Sequence, residues 1–223
     1  MKIYRLVILF LILTSVVLAL AGTNENSSSS SANDSTPCPK LGSLIHRLRS
    51  SSQRNRDRAK KEILVLGKQS PNSRQCVIST MRKFFANVIR EHPNGLMFAV
   101  RSPRSYRQWS EVTDILGTMK ATEALDLLID NLDYNNGTTT LGVGQFPAAR
   151  ATVAFGDEAI PGLVRALKSG SVTKKYLAAF TLREIGGSSA RQALAKAAGE
   201  EKDIQTSTYW NDLLENWKET SKP

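Results

Sequence analysis

From Leu41 to Trp217 the apolar residues recur at helical spacing along nearly the whole chain. Ile160, Leu163, Val164 and Leu167 fall at i, i+3, i+4 and i+7, and Ala190, Ala193, Leu194 and Ala197 repeat that pattern further on. Leu125, Leu128 and Leu132 form an earlier stripe, and Val77, Met81, Phe84 and Val88 one before it. Side chains at such offsets share one helix face, while the polar residues between them fill the other, so each stripe predicts an amphipathic helix. The expected fold class is all-α.

Punctuation between the stripes predicts how the helices are grouped. An apolar residue followed by glycine stands at Leu66-Gly67, Leu116-Gly117, Phe155-Gly156 and Ile185-Gly186. Glycine just past a helix end adopts the left-handed cap without a Cβ penalty. A second helix is expected after each, with Asp157 and Ser188 as N-caps for two of them, and Pro161 is tolerated in a first turn. The chain thus reads as helix, glycine, helix, four times over. Self-similarity at a period of about 30 to 50 residues marks a solenoid.

The segment Gly156-Asp157-Glu158-Ala159-Ile160-Pro161-Gly162-Leu163-Val164-Arg165-Ala166-Leu167 resembles the second helix of a HEAT repeat of the phycobilisome-lyase type. Lys174 to Gly186, with Ala178, Ala179, Leu182 and Ile185, is similar to the first helix of the next repeat. The resemblance is fullest over residues 145–198, extends to 105–132, and thins over 55–88, where Arg and Lys crowd the pattern. It implies an α-solenoid of about four antiparallel helix pairs stacked with a right-handed turn, the second helix of each pair lining the concave surface. Half-repeats are expected to close its ends: Leu41, Leu44, Ile45 and Leu48 before, and Trp210, Leu213, Leu214 and Trp217 after. Exposed ends of a stack need such caps, and helical spacing assigns the two tryptophans to packing there.

The N-terminal residues follow a different pattern. Met1, Lys2 and Arg5 precede an apolar run from Leu6 to Leu18, and Ala19-Leu20-Ala21 fits a signal-peptidase site. The run is short of the about 20 residues a membrane span needs, and polar residues rather than a basic cluster follow it. A signal peptide is expected over 1–21, a flexible Ser/Asn-rich linker over 22–37, and a repeat domain over 38–223. The chain is therefore expected to be exported, periplasmic or secreted, with no transmembrane segment after cleavage. Two cysteines, Cys38 and Cys76, remain. Export favours a disulfide between them; the alternative is two free thiols, with Cys76 a small buried hydrophobe.

Charge divides the chain. Residues 40–110 hold sixteen Lys or Arg against Asp57, Glu62 and Glu91, a net +13, whereas residues 111–223 carry twelve basic and fifteen acidic residues, a net −3. Arg54, Arg58 and Lys61 lie at i, i+4 and i+7 on one expected helix; Arg74, Arg82, Lys83 and Arg90 lie on the next. Such a surface either serves solubility or attracts an acidic partner. Another protein is the first expected partner, and an acidic polymer or an anionic membrane surface the alternative. Aromatic residues do not interleave with the arginines as base stacking requires, so sequence-specific nucleic-acid binding is not expected.

Candidate chemistry is sparse. There is no G-x-S-x-G, H-E-x-x-H or G-x-x-x-x-G-K-[ST]. Gly142-Val143-Gly144 is too short for a dinucleotide fingerprint. His46 and His92 stand in unrelated contexts, and two cysteines do not make a zinc site alone. Asp126, Asp130 and Asp133 share a helix face whose reverse carries Leu125, Leu128 and Leu132, which reads as a solvated face. Some HEAT-type proteins are bilin lyases, a cytoplasmic role at odds with export. No catalytic residue, metal or cofactor is expected.

Two connections exceed a minimal repeat. Val88 to Arg104 contains Pro93-Asn94-Gly95 and then Leu96 to Val100; Asp133 to Gln145 contains Asn135-Asn136-Gly137 and then Thr138 to Leu141. Each pairs a turn signal with β-prone residues. They are expected on one edge of the stack, either folded together into a composite site with Tyr134 or as two independent insertions.

Overall fold

The computed structural model describes Cys38, residues 40–137 and residues 143–217. The segments expected as signal peptide and linker, and residues 138–142, lie outside the described residues. Those residues are all-helical, with eleven α-helices and no strand. Helix α1 spans Leu41–Arg47, α2 Gln53–Lys68, α3 Pro71–Glu91, α4 Gly95–Arg101 and α5 Pro103–Thr118. The later helices are α6 (Leu125–Asp130), α7 (Pro147–Val153), α8 (Ile160–Ser169), α9 (Val172–Ile185), α10 (Gly187–Glu200) and α11 (Ile204–Glu215).

Neighbours along the chain pack as hairpins: α2 against α3, α6 against α7, α8 against α9, and α9 against α10. Helices further apart in the chain also touch: α2 and α3 with α5, α5 with α7, α7 with α9, α9 with α11, α6 with α8 and α8 with α10. The buried residues form one continuous core from Leu41 to Leu213, in which Trp109 and Trp210 are the largest side chains. The Cys38–Cys76 disulfide, with Cα atoms 6.4 Å apart, ties the segment before α1 to α3. That spacing is ordinary for a cystine.

Helix starts are capped where the sequence supplies a short polar side chain. Ser52, Ser70, Asn94, Ser171 and Asp203 each accept a hydrogen bond from the backbone N–H three residues on. Asp157 and Ser188 are not the N-caps expected. A 3-10 turn over Gly156–Ala159 takes in Asp157 before α8 begins. Gly186, at φ 71°, both ends α9 and begins α10, which leaves Ser188 inside the helix.

The four apolar-glycine pairs divide in the same way. Gly156 and Gly186 have φ of 60° and 71° and make the left-handed turns expected of them. Gly67 and Gly117 instead lie inside α2 and α5. A Cβ on Gly117 would stand 2.8 Å from the Ala151 Cα and carbonyl oxygen, so this glycine exists for the close approach of α5 to α7. The 88–104 connection is also corrected. Helix α3 continues to Glu91, and Leu96 to Val100 form α4 rather than an extended run. Asn94 caps that helix, and Phe98 buries itself against His92 (ring centroids 4.2 Å apart) and Tyr106 (5.9 Å). Burial of one large aromatic outweighs the β preference of Val100.

Gly117→Val is expected to cost about 1–3 kcal/mol through overpacking against α7. Gly42→Ala, in α1 with open space around the new methyl, is expected to stabilise by about 0.4–1 kcal/mol. Urea unfolding midpoints of the two variants would check the opposite signs.

Candidate functional site

The basic half of the chain is organised around one carboxylate. Glu111 of α5 is 8% exposed and receives Arg56 Nε at 3.0 Å on one oxygen and Lys60 Nζ at 2.7 Å on the other. Arg56 and Lys60 are one turn apart on α2, so a single face of that helix meets α5. Burial lowers the pKa of Lys60, but the hydrogen bond and charge of Glu111, with Asp57 and Asp114, outweigh it and hold the ammonium above its ordinary range.

The rest of the Arg56 guanidinium fixes the loop between α1 and α2. Its Nη1 donates to the Ser50 carbonyl at 2.8 Å and the Ser51 carbonyl at 3.0 Å, and its Nη2 donates to Gln53. Gln108 of α5, itself buried, donates to the Ile45 carbonyl at 2.7 Å near the end of α1. Arg150 of α7 holds the next α5 carboxylate, Asp114, through Nε at 2.9 Å and Nη2 at 2.7 Å. Burial pushes the Asp114 carboxyl up, against the pull of Arg150.

These contacts leave a cleft of about 670 Å³ between the end of α1, the start of α2 and the start of α5. Arg47, Arg49, Arg58 and Arg104 line it, with His46 at its edge and Ser50 and Asn55 supplying polar atoms. Arg47 is committed to Glu62 through two bonds of 3.0 and 3.1 Å. Arg49, Arg58 and Arg104 have no carboxylate within 4.0 Å among the described residues. The first turns of α2 and α5, both 16-residue helices, add their positive dipole ends. The arrangement suits phosphate, sulfate or carboxylate groups, which a planar guanidinium binds through paired hydrogen bonds.

Of the residues singled out from the sequence, Arg58 belongs to this cleft. Arg54 is exposed in the first turn of α2, and Arg82 and Lys83 are exposed on α3. Lys61 lines a separate groove of about 490 Å³ between α2 and α5, together with Lys60, Lys68, Asp57 and Asp114. Arg90 lies 3.9 Å from Glu91 and donates to Asn87. Arg74 donates to the Met119 carbonyl at 2.7 Å and so caps the end of α5. Tyr134 is buried: its hydroxyl donates to the His92 carbonyl at 2.6 Å and its ring packs edge-on to Trp109, centroids 4.8 Å apart. It ties the two long connections together, and a Cβ on Gly95 would collide with the Asn135 carbonyl across that junction. Arg49 and Arg104 were missed because neither belongs to a helical stripe. Proline before Arg104 was the one local sign that it opens a helix.

No family model matches the chain, and no curated protein matches it in sequence.

Glu111→Ala would leave Arg56 buried without its counter-charge and Lys60 with Asp57 alone, at an expected cost of about 3–5 kcal/mol in chemical denaturation. A second expectation concerns alkaline pH. Burial raises the Tyr134 phenol from its ordinary value of 10.0 to about 12. In that window the folded chain holds a proton that the unfolded chain releases, so the contribution is intact below pH 10 and is lost as pH rises towards 12. Stability measured across this range should fall less steeply in Tyr134→Phe than in the parent.

Proposed function

We propose that this chain is an exported interaction scaffold, a HEAT-like stack of helix pairs without catalytic activity, whose partner presents anionic groups to the cleft between α1, α2 and α5. The observation that carries the reading is the trio Arg49, Arg58 and Arg104, left without carboxylate partners around one cavity. An excess of cations that served only solubility would not require three to converge while nearby acids are paired elsewhere. The contacts between alternate helices support the stacked-repeat reading, and the Cys38–Cys76 disulfide supports export to an oxidising compartment. An acidic protein surface is the first partner expected, and an acidic polymer or anionic bilayer offers the same chemistry.

The test uses immobilised polyphosphate as a defined anionic probe. Retention is expected to fall steeply with salt. Arg58→Glu with Arg104→Glu is expected to weaken it by at least about tenfold, the loss of one charged hydrogen bond. Arg82→Glu with Lys83→Glu changes net charge equally on another helix and should leave most of the binding intact. Equal loss in both pairs would show that net charge, not the cleft, is responsible.

A further inference from the structure

Half of the large exposed hydrophobic residues stand on one short helix, α4, which leads directly into the turn of α5 that carries Arg104. Six large hydrophobic side chains are exposed among the described residues, and three of them, Leu96 (46%), Met97 (41%) and Val100 (67%), stand on α4. Positions 96, 97 and 100 share one face of that helix, while Gly95 and Phe98 point inward and are buried. The short helix is therefore apolar on both faces, unlike an ordinary surface helix.

This outer face is held in place. Phe98 stacks on His92 and meets Tyr106 edge-on, and Asn94 caps the first turn. The Tyr134 hydroxyl fixes the His92 carbonyl from the other connection. Leu96, Met97 and Val100 cannot turn into the core without undoing that packing.

Cations flank the same face. Arg101, the last residue of α4, lines a groove of about 320 Å³ with Met97. Arg104 follows in the first turn of α5 and opens into the arginine cleft beside Arg58. Neither Arg101 nor Arg104 has a carboxylate within 4.0 Å among the described residues, and the acid in the Met97 groove, Glu91, lies 3.9 Å from Arg90. Apolar side chains bordered by uncompensated arginines match the boundary between acyl chains and anionic headgroups, where side chains enter the first and guanidinium groups bind phosphate. An acidic protein groove would match the arginines but not the apolar face.

We propose that α4 docks this protein on an anionic lipid bilayer, Leu96, Met97 and Val100 entering the headgroup layer while Arg58, Arg101 and Arg104 engage lipid phosphates. The proposal rests on the anionic-partner reading above and names the source of the anion. Among the described residues no helix is long and apolar enough to cross a membrane.

Co-sedimentation of the disulfide-bonded chain with vesicles tests it. Vesicles of mixed phosphatidylglycerol and phosphatidylcholine should bind at least about tenfold more tightly than phosphatidylcholine alone, and salt should weaken the binding. Met97→Gln with Val100→Gln, which changes no charge, should reduce vesicle binding by at least about tenfold yet leave polyphosphate retention intact. Both residues are exposed, and unchanged circular dichroism and melting would verify that the variant folds. Vesicle binding that survives this double variant would overturn the role of α4. Retention on polyphosphate with no vesicle binding would overturn the bilayer proposal and leave the anionic-partner reading standing. The same holds for capture of a protein through α4 without vesicle binding. Failure to bind either probe would remove both.

Discussion

Everything distinctive about the basic half depends on the burial of Glu111 between Arg56 and Lys60. Taking a carboxylate out of water is costly, and the cost is offset only when charge and hydrogen bonds compensate it. Here Arg56 does so through Nε while its Nη1 holds the Ser50 and Ser51 carbonyls. One side chain thus fixes the contact of α2 with α5 and the loop that carries Arg49. A buried ion pair of this kind contributes more to geometry than to net stability. Its consequence is the cleft: the acids of this region are paired, and Arg49, Arg58 and Arg104 at its rim are not.

The second organising constraint is close approach. Gly117 lets α5 reach the Ala151 backbone, and Arg150, one residue earlier on α7, reaches back to Asp114 on α5. Apolar contact and a two-pronged ion pair therefore lock the same two helices. At the far edge, Trp109 gathers Phe85, Tyr106 and Tyr134 around it, at centroid distances of 4.8 to 5.5 Å. This cluster joins α3, α5 and the segment after α6, and through Tyr106 and Phe98 it supports α4. The proposed lipid-facing surface is thus built outward from the core rather than carried on a free loop.

The proposed functions share this frame. The loop and helix that carry Arg49 and Arg58 are already fixed, so an arriving anion orders side chains and not backbone. The apolar face of α4 adds what electrostatics alone lacks, a term that salt does not screen. Together they make a surface whose attraction is long-ranged through charge and whose hold is short-ranged through burial.

Much of the secondary structure was legible in the chain, because a helix is a local object. Its 3.6-residue period appears directly in stripes such as Leu163 and Leu167 or Trp210 and Leu213, whose members are buried as the spacing predicts. The division of charge at residue 110 and the pairing of the only two cysteines were equally local or compositional readings. Tertiary contact decided the rest. Gly117 and Gly156 look alike beside their apolar neighbours, yet one admits a facing helix and the other turns the chain. Tyr134 reads as part of a composite site of the two long connections until the structure buries it against Trp109. Arg56 and Glu111 are 55 residues apart, and no periodicity reports a pair at that separation. Their meeting turned a uniformly basic stretch into buried charges that hold the fold and free ones that form a cleft.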